Sequence, residues 1–304
     1  MSDNSSDVPE CECASEGGLL SISETQDLCN ISYSREATIA AFKDYFLFLT
    51  KLYLNPEQIA FPPEEGWEEI TITNMQPLGK TDEVIELLQH LPYIKSSNLC
   101  HDIAPHCQLA DYSSIAHTIL SPETFFIKDQ TPAEFYKAVT QGVWDHIPPH
   151  VIGLAIGREN AMFLDTHLGV IYWPGGNFHR AAVGYAMRSD APSFKPIRDE
   201  SLDYAPEEEM WRSAGSGLKC GRGIVEFFEM LKFHFRELHF LPVSRRRVED
   251  NLRWAKKAVE EVFRLHGWPD MLVYQKDECM EAVAGKVEDT GATGPKYYAV
   301  LKFN

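Results

Sequence analysis

Three short apolar runs stand out along the chain: residues 151–156 (VIGLAI), 161–164 (AMFL) and 169–173 (GVIYW). GREN (157–160) separates the first two, and DTHL (165–168) the last two. Val, Ile, Phe, Tyr and Trp suit a pleated sheet surface, and the polar tetrads between them are turn formers. The pattern predicts a three-stranded antiparallel meander. Apolar residues occupy both parities of the first run, so both faces of that strand are expected to be covered.

Helical periodicity dominates on either side. A first helix is expected from Arg35 to about Leu54, capped by Ser34, with Phe42, Tyr45, Phe46, Leu49 and Leu52 on one face. Asn55-Pro56 ends it. Residues 55–79 are rich in Pro and read as an irregular connection, with a short strand at 70–72. Thr81 caps a second helix whose stripe is Val84, Leu87, Leu88 and Leu91. Residues 92–125 read as loop. A third helix opens on the capping box Thr131-Pro-Ala-Glu134 and reaches about Trp144.

After the meander, residues 177–222 read as a long excursion. A helix from Ile224 to about Phe240 is apolar nearly all round and is expected to be buried. Ser244 is expected to cap the next helix, with Val248, Leu252, Ala255, Val259, Val262 and Phe263 along its stripe. Gly267 closes it. A last helix over 270–288 and a strand over 296–303 complete the expectation. The fold class is therefore α+β, a central antiparallel meander sheet packed by several helices. Residues 34–304 are expected to form one domain.

Composition narrows the partners. The 304 residues are 44% apolar and 24% charged, which is globular, and the formal charge is −17. Such a charge disfavours nucleic acid and anionic membrane as partners. No apolar run approaches the roughly 18 residues of a membrane span. Residues 1–33 hold seven acidic residues and no Lys or Arg, which predicts a disordered acidic tail, and they lack the basic and apolar regions of a secretory signal. Seven cysteines, an odd number, fit reduced thiols in the cytoplasm or nucleus better than a disulfide framework.

Several constellations carry potential chemistry. Cys100, His101, His106 and Cys107 are soft ligands suited to zinc. Four candidates crowded into eight residues depart from the usual paired spacing, however, which favours ordinary histidines and thiols. No cofactor is expected, with zinc as the alternative. Cys11 and Cys13 read as incidental. His146 and His150 have zinc-peptidase spacing, but Pro148 and Pro149 preclude the required helix. AGSGLKCGRG (214–223) lacks the phosphate-loop signature and reads as a linker, and Cys220 within it has no His tied to it. Asp165 and His167 mark a hairpin tip, where Asx-turn chemistry accounts for the Asp. Between Arg212 and Lys257 eleven basic residues face five acidic ones. Arg245, Arg246 and Arg247 would oppose the dipole at a helix start, so they either pair internally, for example with residues 199–209, or meet an acidic partner.

The pattern LAIGRENAMFLDTHLGVIYW (154–173), followed by a helix carrying EFFEML (226–231), resembles the central strands and helix of the SUKH superfamily of fungal cell-wall-synthesis regulators and bacterial toxin-immunity proteins. LTKLYLNP (49–56) and LGKTDEVIELLQHLPYI (78–94) look like stretches of uncharacterised proteins from filamentous fungi. The resemblance covers about half the chain; the connection before Gly223 is longer than the superfamily's, and the helices after Ser244 lie outside it. It implies a non-enzymatic, intracellular protein-binding module with no catalytic residues. Arg245, Arg246, Arg247, Asp165 and His167 are then the candidate partner-binding residues. The alternative is a small-ligand or metal-dependent enzyme using the loop 95–120 and the meander tips.

Overall fold

A computed structural model describes residues 33–95, 101–142, 146–156, 161–173, 197–198, 220–250, 252 and 255–289. The tail, Cys11, Cys13, Cys100, the tetrad 157–160 and the final strand expected at 296–303 lie outside them, as does most of the excursion.

Helix α1 (Arg35–Leu52) starts where expected: Ser34 Oγ accepts from Ala37 N at 3.2 Å. Its C-terminal carbonyls are satisfied from far along the chain. Tyr274 donates to Leu52 O at 2.9 Å, and Lys276 Nζ to Thr50 O at 3.0 Å. The connection that follows contains β1 (Ile59–Ala60) and a short helix α2 (Ile72–Met75) capped by Thr71. The strand expected at 70–72 is thus replaced, because the Thr71 hydroxyl satisfies Asn74 N and nucleates a helical turn. Thr81 caps α3 (Asp82–His90), and β2 (Tyr93–Ile94) pairs with β1.

Residues 101–125, expected as loop, carry regular structure. They form a hairpin, β3 (Asp102–Ala104) and β4 (Cys107–Leu109), and a helix, α4 (Tyr112–Leu120). Asp111 caps α4 by accepting from Ser113 N and Ser114 N. Polar Ser, His and Thr on its outer side dilute the apolar stripe, which hides the helix from periodicity. The capping box of α5 (Pro132–Gln141) is present as expected, with Thr131 and Glu134 exchanging hydrogen bonds.

The meander exists, with a change of partner inside its first strand. β5 (Val151–Gly153), β7 (Phe163–Asp165) and β8 (Val170–Tyr172) pair antiparallel, Ile152 opposite Leu164 and Leu164 opposite Ile171. β6 (Ala155–Ile156) leaves that sheet and pairs with β4, so the run 151–156 serves two sheets. Leu154 is the crossing point: its N–H donates to Met162 O at 2.6 Å, and its carbonyl accepts from Ala110 N at 2.8 Å. Ile152, Leu164 and Ile171 face the main core, whereas Val151, Phe163, Val170 and Tyr172 form a second buried cluster on the opposite face. Both faces of the first strand are covered, as the sequence predicts.

β9 (Ile197–Arg198) and β10 (Cys220–Gly223) extend the meander into a five-stranded sheet of order β5-β7-β8-β10-β9. The end of the glycine-rich stretch is therefore a strand, not a linker; residues 214–219 lie outside the described residues. β10 leads straight into α6 (Ile224–Arg236), shorter than expected, whose Val225 is exposed while Phe227, Phe228, Leu231 and Phe235 are buried. α6 packs on α1 through Phe42 and Phe228, with ring centroids 4.8 Å apart at 68°.

The helix expected to start at Ser244 does not form there. Leu241–Pro242 (β11) and Val248–Glu249 (β12) make a hairpin, and Ser244 Oγ accepts from Arg246 N and Arg247 N within its turn. Pro242 occupies an edge strand, and the hydroxyl that would cap a helix closes this turn. The helix proper, α7 (Lys256–Leu265), starts a dozen residues later, and α8 (Lys276–Asp289) follows a loop containing a cis Trp268–Pro269 bond. Among the described residues no helix is long and apolar enough to cross a membrane.

Candidate functional site

The two hairpins, β3–β4 and β11–β12, meet edge to edge and bring together two groups of residues that the sequence leaves far apart. Asp102 N donates to Arg246 O at 2.8 Å, and Val248 N donates to the Asp102 carboxylate at 3.1 Å. Gln108 Nε2 adds a second donor to that carboxylate at 3.2 Å. Tyr45 of α1 and Tyr53 at its C-cap fix β3: Tyr45 OH donates to Ile103 O and Tyr53 OH to Asp102 O. Asp102 is 2% exposed. Burial pushes its carboxyl up to about 6, against the opposing pull of the Val248 amide and the Gln108 side chain.

His106 occupies the left-handed region at φ 55° in the β3–β4 turn, which swings its ring toward β12. Its Nε2 lies 3.2 Å from Glu249. Burial works against the imidazolium, but the hydrogen bond and charge of Glu249 outweigh it and raise the His106 pKa. Glu249 shows the mirror image: burial raises it, and His106 with Arg247 brings it below the ordinary carboxylate range. Arg247 completes the cluster by donating to Glu249.

The sequence-predicted residues are therefore placed as follows. Cys107 is fully buried, and burial holds its thiol in the neutral form, the opposite of what a thiolate ligand requires. His106 turns outward to Glu249. His101 is 8% exposed; burial, then the charge of Arg246, lowers its pKa, and its Nδ1 has no hydrogen-bond partner among the described residues. Among those residues no three His, Cys, Asp or Glu converge as a metal set. Arg245 bonds Asn55 at 2.9 Å and Asp277 at 2.6 Å, so it ties the end of α1 to α8. Arg245 and Arg247 thus pair internally with Asp277 and Glu249, while residues 199–209 lie outside the described residues. Arg246 is exposed. Because the triplet sits in a hairpin turn, the expected conflict with a helix dipole does not arise.

Asp165 and His167 lie at the opposite end of the meander. Asp165 is fully buried, and its Oδ1 accepts from His167 N at 2.9 Å and Leu168 N at 3.0 Å, the expected Asx turn. The His167 ring stacks on His150 with centroids 3.7 Å apart, while His150 Nε2 is 3.9 Å from Asp165, beyond hydrogen-bond range. This tip is separate from the hairpin junction, and the Thr166 hydroxyl within it donates to His150 O at 2.9 Å.

Asp102 and Glu249 escape sequence reading, since neither lies in a motif and their partners are distant in the chain. A second feature is also missed, an apolar knuckle after α7. Leu265 is 75% exposed, Leu272 94% and Val273 60%. Trp268, buried and donating to Phe235 O at 3.0 Å, anchors the loop, while Asp270 accepts from Leu272 N at 3.0 Å and holds its turn. The last helix expected over 270–288 starts only at Lys276, so Met271-Leu-Val273 belongs to the loop that follows the Pro269-Asp270 turn, and that turn was the signal in the sequence. No protein-family model matches the chain, and no curated protein or solved structure does either.

Proposed function

We propose that this chain is a non-enzymatic protein-binding module of the cytoplasm or nucleus, the role that the SUKH-like hairpin motivates. The observation that supports it is the apolar knuckle. Leu265 projects from the end of α7, and Leu272 and Val273 from the loop after it that Trp268 and Asp270 anchor; an anchored apolar projection loses little conformational entropy when it enters a socket on another protein. Exposed Arg264 and Asp270 supply a polar rim. Arg246, exposed and in no ion pair among the described residues, is free to reach an acidic group of the same partner. The buried, free thiols of Cys107 and Cys279 fit a reducing compartment.

Affinity capture with the full chain and its Leu272→Asp variant tests this. The wild type is expected to retain a discrete protein at high salt, and the variant to bind it about tenfold more weakly or worse. Equal capture by both, or turnover of a small molecule with no protein captured, overturns the reading.

A further inference from the structure

The loop that carries the apolar knuckle is closed on itself. Gln275 N donates to His266 O at 2.9 Å across its base, and Asp270 O accepts from Val273 N at 3.2 Å and Tyr274 N at 3.0 Å. Gly267, at φ 93°, lets the chain double back on itself: a Cβ there would lie 3.0 Å from both Val273 Cγ2 and Val273 O. Trp268 packs beneath, its ring 6.1 Å from Phe48 and 5.1 Å from Tyr274. These contacts fix Met271, Leu272 and Val273 beside Leu265, and all four are exposed.

The charges at the edge of this patch carry both signs. Arg264 precedes Leu265, is exposed, and forms no ion pair among the described residues. Asp270 is exposed in the turn and engages Leu272 N through Oδ1 alone. Glu261, one turn before Leu265, is a second exposed acid. A rim of one sign repels its own copy, whereas a rim holding a cation and an anion complements it. Contacts across a two-fold axis are reciprocal, so Arg264 of each copy faces Asp270 of the other, twice, around one apolar centre.

We propose that the knuckle pairs two copies of this chain about a two-fold axis, with Leu265, Leu272 and Val273 at the centre and the reciprocal Arg264–Asp270 contacts at the rim. The proposal rests on the knuckle as a protein-docking surface and names a second copy as its occupant. A patch of this kind exposes roughly a few hundred Å². A standard interface buries about 800 Å² per partner. Each copy also carries a formal charge of −17, and the two repel. Pairing is therefore weak and reversible.

Sedimentation velocity of the full chain tests this. The wild type is expected to pass from monomer to dimer over roughly 1 to 100 μM. Leu272→Asp is expected to raise the dissociation constant about tenfold or more. Arg264→Glu and Asp270→Lys each set like charges together in both rim contacts and are expected to weaken pairing several-fold. Mixed one to one, the two variants restore both contacts and recover the dimer, which a misfolded variant would not do. If Asp270→Lys disturbs its turn, the wild type and Arg264→Glu still decide the matter. A wild-type monomer at every concentration, or a dimer indifferent to both Leu272→Asp and Arg264→Glu, overturns the proposal. A monomeric chain that still captures a different protein overturns the pairing alone; a monomeric chain that captures nothing overturns the protein-binding reading as well.

Discussion

The meander β5-β7-β8 and the junction of the two hairpins are both buried, and they are stabilised by different physics. In the meander, neighbouring strands are close in sequence and both faces are apolar: Ile152, Leu164 and Ile171 stack on one side, Phe163 and Tyr172 on the other. At the junction, Asp102 meets Val248 across 146 positions, and the contact is a buried carboxylate with two donors beside a His106–Glu249 ion pair. Apolar burial in the sheet is insensitive to pH and tolerant of small shifts. A buried carboxylate is specific in geometry and sensitive to protons.

The strongest way to break the sheet is steric. A Cβ at Gly153 would lie 2.7 Å from the Thr140 carbonyl carbon and closer still to its oxygen, so β5 and α5 approach one another backbone to backbone. Gly153→Ala is expected to cost about 3 kcal/mol or more, read as a fall in denaturant midpoint or as failure to fold. Gly285→Ala, with open space around its Cβ position, is the matched control and should leave the midpoint unchanged or raise it slightly.

At the junction, Asp102→Ala is expected to cost about 2 kcal/mol by leaving the buried Val248 N–H without its acceptor. Asp102→Asn sharpens the contrast with the sheet. Folded Asp102 keeps its proton up to about 6, whereas in the unfolded chain it releases it near the ordinary value of about 4. The folded state therefore binds the extra proton in that window, and Asp102 makes stability fall as pH rises through it. Asp102→Asn is expected to flatten this slope, measured by urea titrations across the same range; an unchanged slope would locate the titration elsewhere.

The smallest effect is at His106. Its pKa is raised in the fold, so its contribution is complete below its ordinary value of about 6.5 and is lost as pH rises through the raised one. His106→Gln is expected to cost less than about 1 kcal/mol under mildly acidic conditions and nothing under alkaline ones. Glu249, lowered in the fold, contributes above its ordinary value and loses that contribution as pH falls through its depressed one.

Several elements were legible because their signals are local. The Ser34, Thr81 and Thr131 caps sit where the hydroxyls indicate, and the meander follows its apolar runs. The misread ones involve residues whose side chains have two local uses. Ser244 closes a hairpin turn where a helix cap was expected, because Pro242 and the pairing of Leu241 with Glu249 decide the outcome there, and Thr71 caps a short helix where a strand was expected. The candidate ligands His106 and Cys107 were legible as residues but not as an arrangement: consecutive positions in a β-hairpin point to opposite sides, one to Glu249 and one into the core.

By itself the sequence determined the α+β class, the antiparallel pairing of β5, β7 and β8, and the starts of α1, α3 and α5, since each depends on neighbours within a few residues. The tertiary structure alone decided that the run 151–156 divides between two sheets, that Arg245 and Arg247 pair with Asp277 and Glu249, and that the Asp102 carboxylate meets Val248 N. Each of these depends on burial and on charges brought together from distant positions. Periodicity records which face of an element is apolar; it does not record which distant group that face will meet.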